Sequence, residues 1–201
     1  MSKEIVYAFI DGQNLHKAVE KFLWFFCYDK FFNLLVSQYN VSKAYYFIGL
    51  TKNRNNILYQ ELRSAGFQLC LRKPIFYKEN KCSNCTLTQT CQNYNPVEYE
   101  RIKANVDSNL TIGVMSKINE YGNAVIVAGD SDYYYLAKFL LRQNKLKKIL
   151  LPSKKESSDL YKDNKLLQNK IEYILFSASK KYSFPVFLLL LTSVIIFGYN
   201  K

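Results

Sequence analysis

Short apolar runs alternate along this chain with stretches whose apolar residues recur at helical spacing. Ile5–Ile10, Ala44–Ile48 and Ala124–Ala128 are apolar throughout, and Phe67–Leu71 and Lys148–Leu151 are shorter or mixed runs of the same kind. An unbroken apolar run fits a strand buried on both faces, as in a parallel sheet. Between the runs, Leu15–Phe26, Asn55–Ala65, Asp107–Glu120 and Tyr133–Gln143 read as helices. Gly66 and Gly122 stand where helix C-termini need a residue free to turn. Strands alternating with helices predict a three-layer α/β domain around a mainly parallel central sheet. Residues 72–101 carry no such pattern and read as an irregular insertion. No internal repeat is visible.

Composition narrows the class. The chain has 201 residues, 49% of them hydrophobic, which excludes a disordered protein and allows one core of ordinary size. A formal charge of +12 calls for an anionic partner, nucleic acid or an acidic membrane surface, unless it is only a solvated lysine-rich face. The N-terminal apolar run ends at Asp11 after six residues, too short for a signal peptide, so the body is expected in the cytoplasm. An odd count of five cysteines without a secretory signal argues for reduced thiols or a metal site over disulfides.

The chemistry lies at the ends of the strands. In open parallel sheets, ligands sit beyond the carboxyl ends of the strands. Asp11 follows the first strand directly and Asp130 follows the fourth, with Asp132 two residues on and Asp107 opening a helix. Each alone could be a turn residue or a helix cap. Packed together, unpaired carboxylates repel by roughly 4 kcal/mol per pair at about 4 Å and an effective dielectric near 20. A hard divalent cation, Mg²⁺ or Mn²⁺, relieves that repulsion.

Phe9-Ile10-Asp11-Gly12-Gln13-Asn14 resembles the opening motif of NYN domains, the LabA-like branch of the PIN-like nuclease superfamily. Ala128-Gly129-Asp130-Ser131-Asp132-Tyr133 resembles their second signature, and Lys103–Asp107 the segment between. Lys154–Leu160 resembles the loop after the last core strand, so the likeness runs over about residues 4–175. It implies a PIN-like fold and metal-dependent cleavage of RNA, with an endonuclease the expected form. Asp11, Asp107, Asp130 and Asp132 would then be both catalytic residues and ligands of the divalent cation. Asn14 would orient a carboxylate or contact substrate, and Ser131 would offer a hydroxyl or backbone N–H. The chain departs from the pattern in its long 72–101 stretch and in its late helix, where only Asp159 and Asp163 are near enough to supply a further acid. A non-cleaving module of the same type, binding RNA or a protein, is the alternative. Gly129–Asp132 also bears a faint likeness to the late acidic motif of haloacid dehalogenase phosphatases, but Gln13 stands where that class needs its second acid.

Three features lie outside this core. Cys82, Cys85 and Cys91 form C-x2-C-x5-C, half of a structural zinc site for which Cys70 is the candidate fourth ligand; three free thiols in a polar loop is the other reading. Arg72, Lys73, Lys78 and Lys81, near Tyr77, Tyr94 and Tyr99, could hold phosphates and stack bases, and Lys145, Lys147, Lys148, Lys154 and Lys155 form a second basic group. Phe184–Tyr199 is almost wholly apolar between Lys180–Lys181 and Lys201. It predicts an apolar C-terminal helix that tethers residues 1–178, the nuclease domain, to a membrane from the cytoplasmic side, with residues 179–201 as the tail. A final core element is the rival reading. The sequence leaves a homodimer open.

Overall fold

The apolar runs form strands, and the strands are buried as the pattern requires. The computed structural model of the protein describes residues 4–21, 24–50, 57–82, 96–103, 106–152, 161, 165–174 and 183–185. Its elements are β1 (Val6–Asp11), α1 (Gly12–Lys21), β2 (Trp24–Phe26), α2 (Tyr28–Tyr39), β3 (Val41–Gly49), α3 (Ile57–Ser64), β4 (Gln68–Arg72), β5 (Ile75–Cys82) and β6 (Pro96–Lys103). There follow α4 (Asp107–Ser116), β7 (Asn123–Val127), a 3₁₀ turn (Ser131–Tyr133), α5 (Tyr134–Arg142), β8 (Leu146–Leu151), α6 (Lys165–Gln168), β9 (Ile171–Tyr173) and β10 (Ser183–Pro185).

The central sheet has the order β4-β3-β1-β7-β8-β9 and every pairing in it is parallel. Alternate residues of β1 feed two cores. Val6, Ala8 and Ile10 pack with Leu35 of α2 and Leu62 of α3 on one face. Tyr7 and Phe9 pack with Leu110 of α4 and Leu140 of α5 on the other. Each valine, isoleucine, leucine or phenylalanine among them, once fully buried, contributes about 1.5–3 kcal/mol. After β1 the chain builds β3 and β4 on one side, then returns to add β7, β8 and β9 on the other. The order therefore reverses between β1 and β7, which opens a crevice beyond their carboxyl ends.

Two glycines are fixed by geometry. Gly66 has φ +104° and ends α3 with a paired cap, Phe67 N–H to the Leu62 carbonyl at 3.0 Å and Gly66 N–H to the Arg63 carbonyl at 3.0 Å. Gly12 starts α1 against β3, where an added Cβ would lie 2.2 Å from Tyr46 Cε1 and 2.8 Å from the Phe47 carbonyl oxygen.

The structure departs from the sequence reading in several places. The first helix stops at Lys21, and Trp24–Phe26 is a strand rather than its last turn. Residues 72–101 are not irregular throughout: β5 and β6 pair as an antiparallel hairpin, in register from Ile75 opposite Lys103 to Cys82 opposite Pro96. Its strands carry no apolar stripe; Lys78 pairs with Glu98 across it, and Ile75, Phe76 and Val97 are exposed. α2 is not among the helices that the sequence pattern predicts, although Phe31, Leu34, Leu35 and Tyr39 are buried at helical spacing. β9 is not among its strands, being only three residues long. Ser183–Pro185 pairs antiparallel with Trp24–Phe26, so Phe184 and Pro185 lie in a strand and not in the first turn of a helix. The rest of the apolar tail, 186–199, lies outside the described residues. Among the described residues no helix is long and apolar enough to cross a membrane.

Much of the second basic group is already engaged. Lys145 Nζ donates to the carbonyls of Ile118 and Tyr121, Lys147 pairs with Glu4, and Lys148 pairs with Glu172. Lys154 and Lys155 lie outside the described residues.

Replacing Gly12 by alanine forces the Cβ into the Tyr46 ring and the β3 backbone. The expected loss is about 1–3 kcal/mol of stability in denaturant unfolding, the usual size of an overpacking defect; an unchanged midpoint would show that α1 can move off β3 freely.

Candidate metal centre

Asp11 is the last residue of β1, and 3% of its surface is exposed. Its Oδ1 accepts the backbone N–H of Asn14 at 2.9 Å, so the carboxylate also caps the first turn of α1. β7 runs alongside, Ile10 opposite Val127, which sets Asp11 beside the turn Ala128–Gly129–Asp130. The Asn14 side-chain carbonyl accepts the Gly129 N–H at 2.9 Å and ties α1 to that turn. Asp130 and Asp132 are exposed on the 3₁₀ turn that follows. The Ser131 hydroxyl donates to Asp130 Oδ1 at 3.2 Å. Tyr161, fully buried, donates from its hydroxyl to the Asp130 carbonyl at 2.9 Å and braces the turn from behind. Asp107 opens α4, where the positive end of the helix dipole favours an acid.

One side chain joins these parts. The Tyr133 hydroxyl lies 2.9 Å from Asp11 Oδ2 and 2.9 Å from Asp107 Oδ1. A phenol carries one proton, so it donates to one of these acceptors at a time. Burial lifts the Asp11 carboxyl above the usual range, against the pull of the Asn14 N–H and the Tyr133 hydroxyl, and the charge on Asp107 adds to the rise. Asp130 raises the Asp132 carboxyl, with burial and Asp107 contributing less. Burial, then the charges on Asp11 and Asp107, hold the Tyr133 hydroxyl firmly protonated. Tyr161 is likewise raised by burial and by Asp130 and Asp132. The four aspartates thus feel one another at a single end of the sheet. Among the described residues none of Asp11, Asp130 or Asp132 is paired with a lysine or arginine.

Carboxylate oxygens of this kind match the preference of Mg²⁺ and Mn²⁺ for hard ligands. As the side chains stand, no group of three acids, histidines or cysteines among the described residues is close enough to hold an ion. Asp130 and Asp132, being exposed, are free to swing inward; Asp11 and Asp107 are held by Tyr133. The roles of Tyr133 and Tyr161 went unread in the sequence. The tyrosine directly after Asp132 is visible in the sequence, but nothing local names its partners or those of Tyr161.

The zinc candidates divide. Cys70 sits mid-β4, half-buried on the α4 face, and burial raises its thiol. Cys82 ends β5, and Cys85 and Cys91 lie outside the described residues. Beyond the carboxyl ends of β3 and β4 a cavity of about 390 Å³ is lined by Leu50, Tyr59, Arg63, Leu71 and Lys73. It opens at the same end of the sheet as the aspartates.

Comparison with known proteins bears on the family and the fold. The model of a family described as the NYN domain matches residues 6–168. No curated protein matches the chain. Among solved structures, a protein of unknown function from Vibrio parahaemolyticus superposes with a TM-score of 0.57 at 16% identity, covering 85% of this chain and 91% of that one. At that identity the likeness is one of fold.

The raised Asp11 carboxyl makes a stability prediction. Its folded pKa lies above its unfolded value, so ionised Asp11 opposes folding at neutral pH. That penalty is present above the folded pKa and disappears as the pH falls below the unfolded value, about 3.9. In chelator, Asp11→Asn is therefore expected to raise the thermal midpoint at pH 7, with the gain shrinking toward pH 3. A variant less stable than the parent at pH 7 would show that the carboxylate's hydrogen bonds outweigh its burial.

Proposed function

The chain belongs to the NYN domain family and has its PIN-like nuclease fold, and from that premise we propose that it is a metal-dependent ribonuclease cutting RNA internally. The observation that carries this reading is the gathering of Asp11, Asp107, Asp130 and Asp132 beyond the carboxyl ends of β1 and β7, at the switch point of the sheet.

In this reading the four aspartates hold Mg²⁺ or Mn²⁺. The bound ion would supply a water of lowered pKa and stabilise negative charge on the phosphate. The chain's own residues do the rest. Asp11 is held by the Asn14 N–H and Tyr133, so its carboxylate is pre-positioned at the end of β1. Asp130 and Asp132 are exposed and can reach the attacking water, orient it and take its proton. Asn14 serves by bonding Gly129, which keeps the two acidic turns in register. Arg63 and Lys73, in the neighbouring cavity, would grip the RNA backbone on its way to the acids. This use of the basic side chains suits a chain of formal charge +12.

One observation favours a second reading. The Tyr133 hydroxyl already bridges two of the acids, which suits a module that binds RNA without cutting it. The tail as a membrane anchor and the zinc site at Cys82, Cys85, Cys91 and Cys70 stand as separate proposals, each with residues outside the described ones.

Purified protein incubated with labelled RNA and DNA decides between the readings. The expected result is cleavage of RNA in Mg²⁺ or Mn²⁺, none in chelator, and reduction to background by Asp130→Asn with the fold retained by circular dichroism. Asp130→Asn cutting as fast as the parent would remove Asp130 from the site. RNA binding that survives chelator without cleavage under any metal would establish the non-cleaving module.

A further inference from the structure

Tyr133 has no exposed surface and packs within the core formed with α4 and α5. A phenylalanine would fill that space equally well and would avoid burying a hydroxyl, which is unfavourable unless the group is hydrogen-bonded. The hydroxyl is explained only by its two partners, Asp11 Oδ2 and Asp107 Oδ1, each at 2.9 Å. Those partners come from different elements, β1 and α4, 96 residues apart in the chain, and both face the same oxygen atom. A Mg²⁺ ion shared by the two carboxylates would draw their oxygens to about 2.0–2.1 Å, closer than the 2.9 Å at which each meets the phenol.

We propose that the Tyr133 hydroxyl is a stand-in for the cation. It holds Asp11 and Asp107 together in the metal-free protein and competes with the ion for the same two oxygens. The inference rests on the metal-site reading above. Tyr133 is thus a positioning residue that sets the metal concentration at which the site loads. One phenolic proton serves a single acceptor at a time, whereas a divalent ion satisfies both carboxylates at once. The stand-in is therefore strong enough to keep the empty site assembled and weak enough to yield. Because the ring stays wedged in the core, the carboxylates do the moving: loading draws their oxygens off the phenol and toward the exposed pair, Asp130 and Asp132.

The test is titration of the full chain with Mn²⁺ alone, the free ion read by electron paramagnetic resonance. Parent, Tyr133→Phe and Tyr121→Phe are compared. Tyr121 is a buried tyrosine of the same core whose hydroxyl donates to the Val114 carbonyl at 3.2 Å, away from the acids. Tyr133→Phe is expected to bind Mn²⁺ about tenfold more tightly, the effect of removing one competing hydrogen bond to a charged group. Its unfolding midpoint should fall below the parent's in chelator and recover when Mn²⁺ is added, while Tyr121→Phe keeps the parent's affinity. Unchanged or weaker binding by Tyr133→Phe overturns the proposal and leaves the metal site standing. An equal gain in Tyr121→Phe overturns it too, since loosening of the core would then suffice. A Tyr133→Phe chain that fails to fold makes the hydroxyl a structural strut and likewise overturns it. No Mn²⁺ binding by any of the three removes both this inference and the metal reading beneath it.

Discussion

A carboxylate buried at the end of the central strand is the constraint on which the site depends. Asp11 has almost no access to water, yet no lysine or arginine among the described residues pairs with it. Its charge is met chiefly by the Asn14 N–H and the single proton of Tyr133, with the Gln13 N–H adding less. Asn14 and Tyr133 in turn fix α1 against the β7 turn and α4 against the 3₁₀ turn, through Asn14 to Gly129 and Tyr133 to Asp107. The geometry of four separate segments is thereby referred to one anionic side chain.

The scaffold tolerates this because its apolar contribution is much larger. β1 is sealed on both faces, and each large side chain it buries is worth about 1.5–3 kcal/mol. Raised carboxyls at Asp11 and Asp132 mark where the chain gives up stability, and such local conflict in an otherwise consistent fold is characteristic of a working site. The sheet order explains why the conflict sits where it does. β1 and β7 are the strands between which the connection reverses, so no helix crosses above them, and the acids occupy the gap.

Much of this was legible in the sequence, for identifiable reasons. Ile5–Ile10 and Ala124–Ala128 are apolar without interruption, and only a strand covered on both faces needs that. Acids directly after such strands point to the carboxyl edge. Gly66 announced the end of α3 by its position alone. The hairpin β5–β6 was not legible, because its backbone ladder is satisfied without an apolar stripe and its polar cross-strand pairs resemble a loop. The end of α1 before Trp24 is not legible because Trp24–Phe26 continues the apolar run of α1. The bridge made by Tyr133 was beyond reach for a different reason. It joins residues 11, 107 and 133, and nothing in the local sequence of any one of them specifies the other two.

The most direct measurement of the central claim is a crystal of the protein soaked in Mn²⁺, with the ion located by its anomalous scattering. The account predicts a peak beyond the carboxyl ends of β1 and β7, ligated by oxygens of Asp11, Asp107, Asp130 and Asp132. A fully ordered site at saturating Mn²⁺ with no peak there, or with the ion bound only elsewhere on the surface, would contradict it.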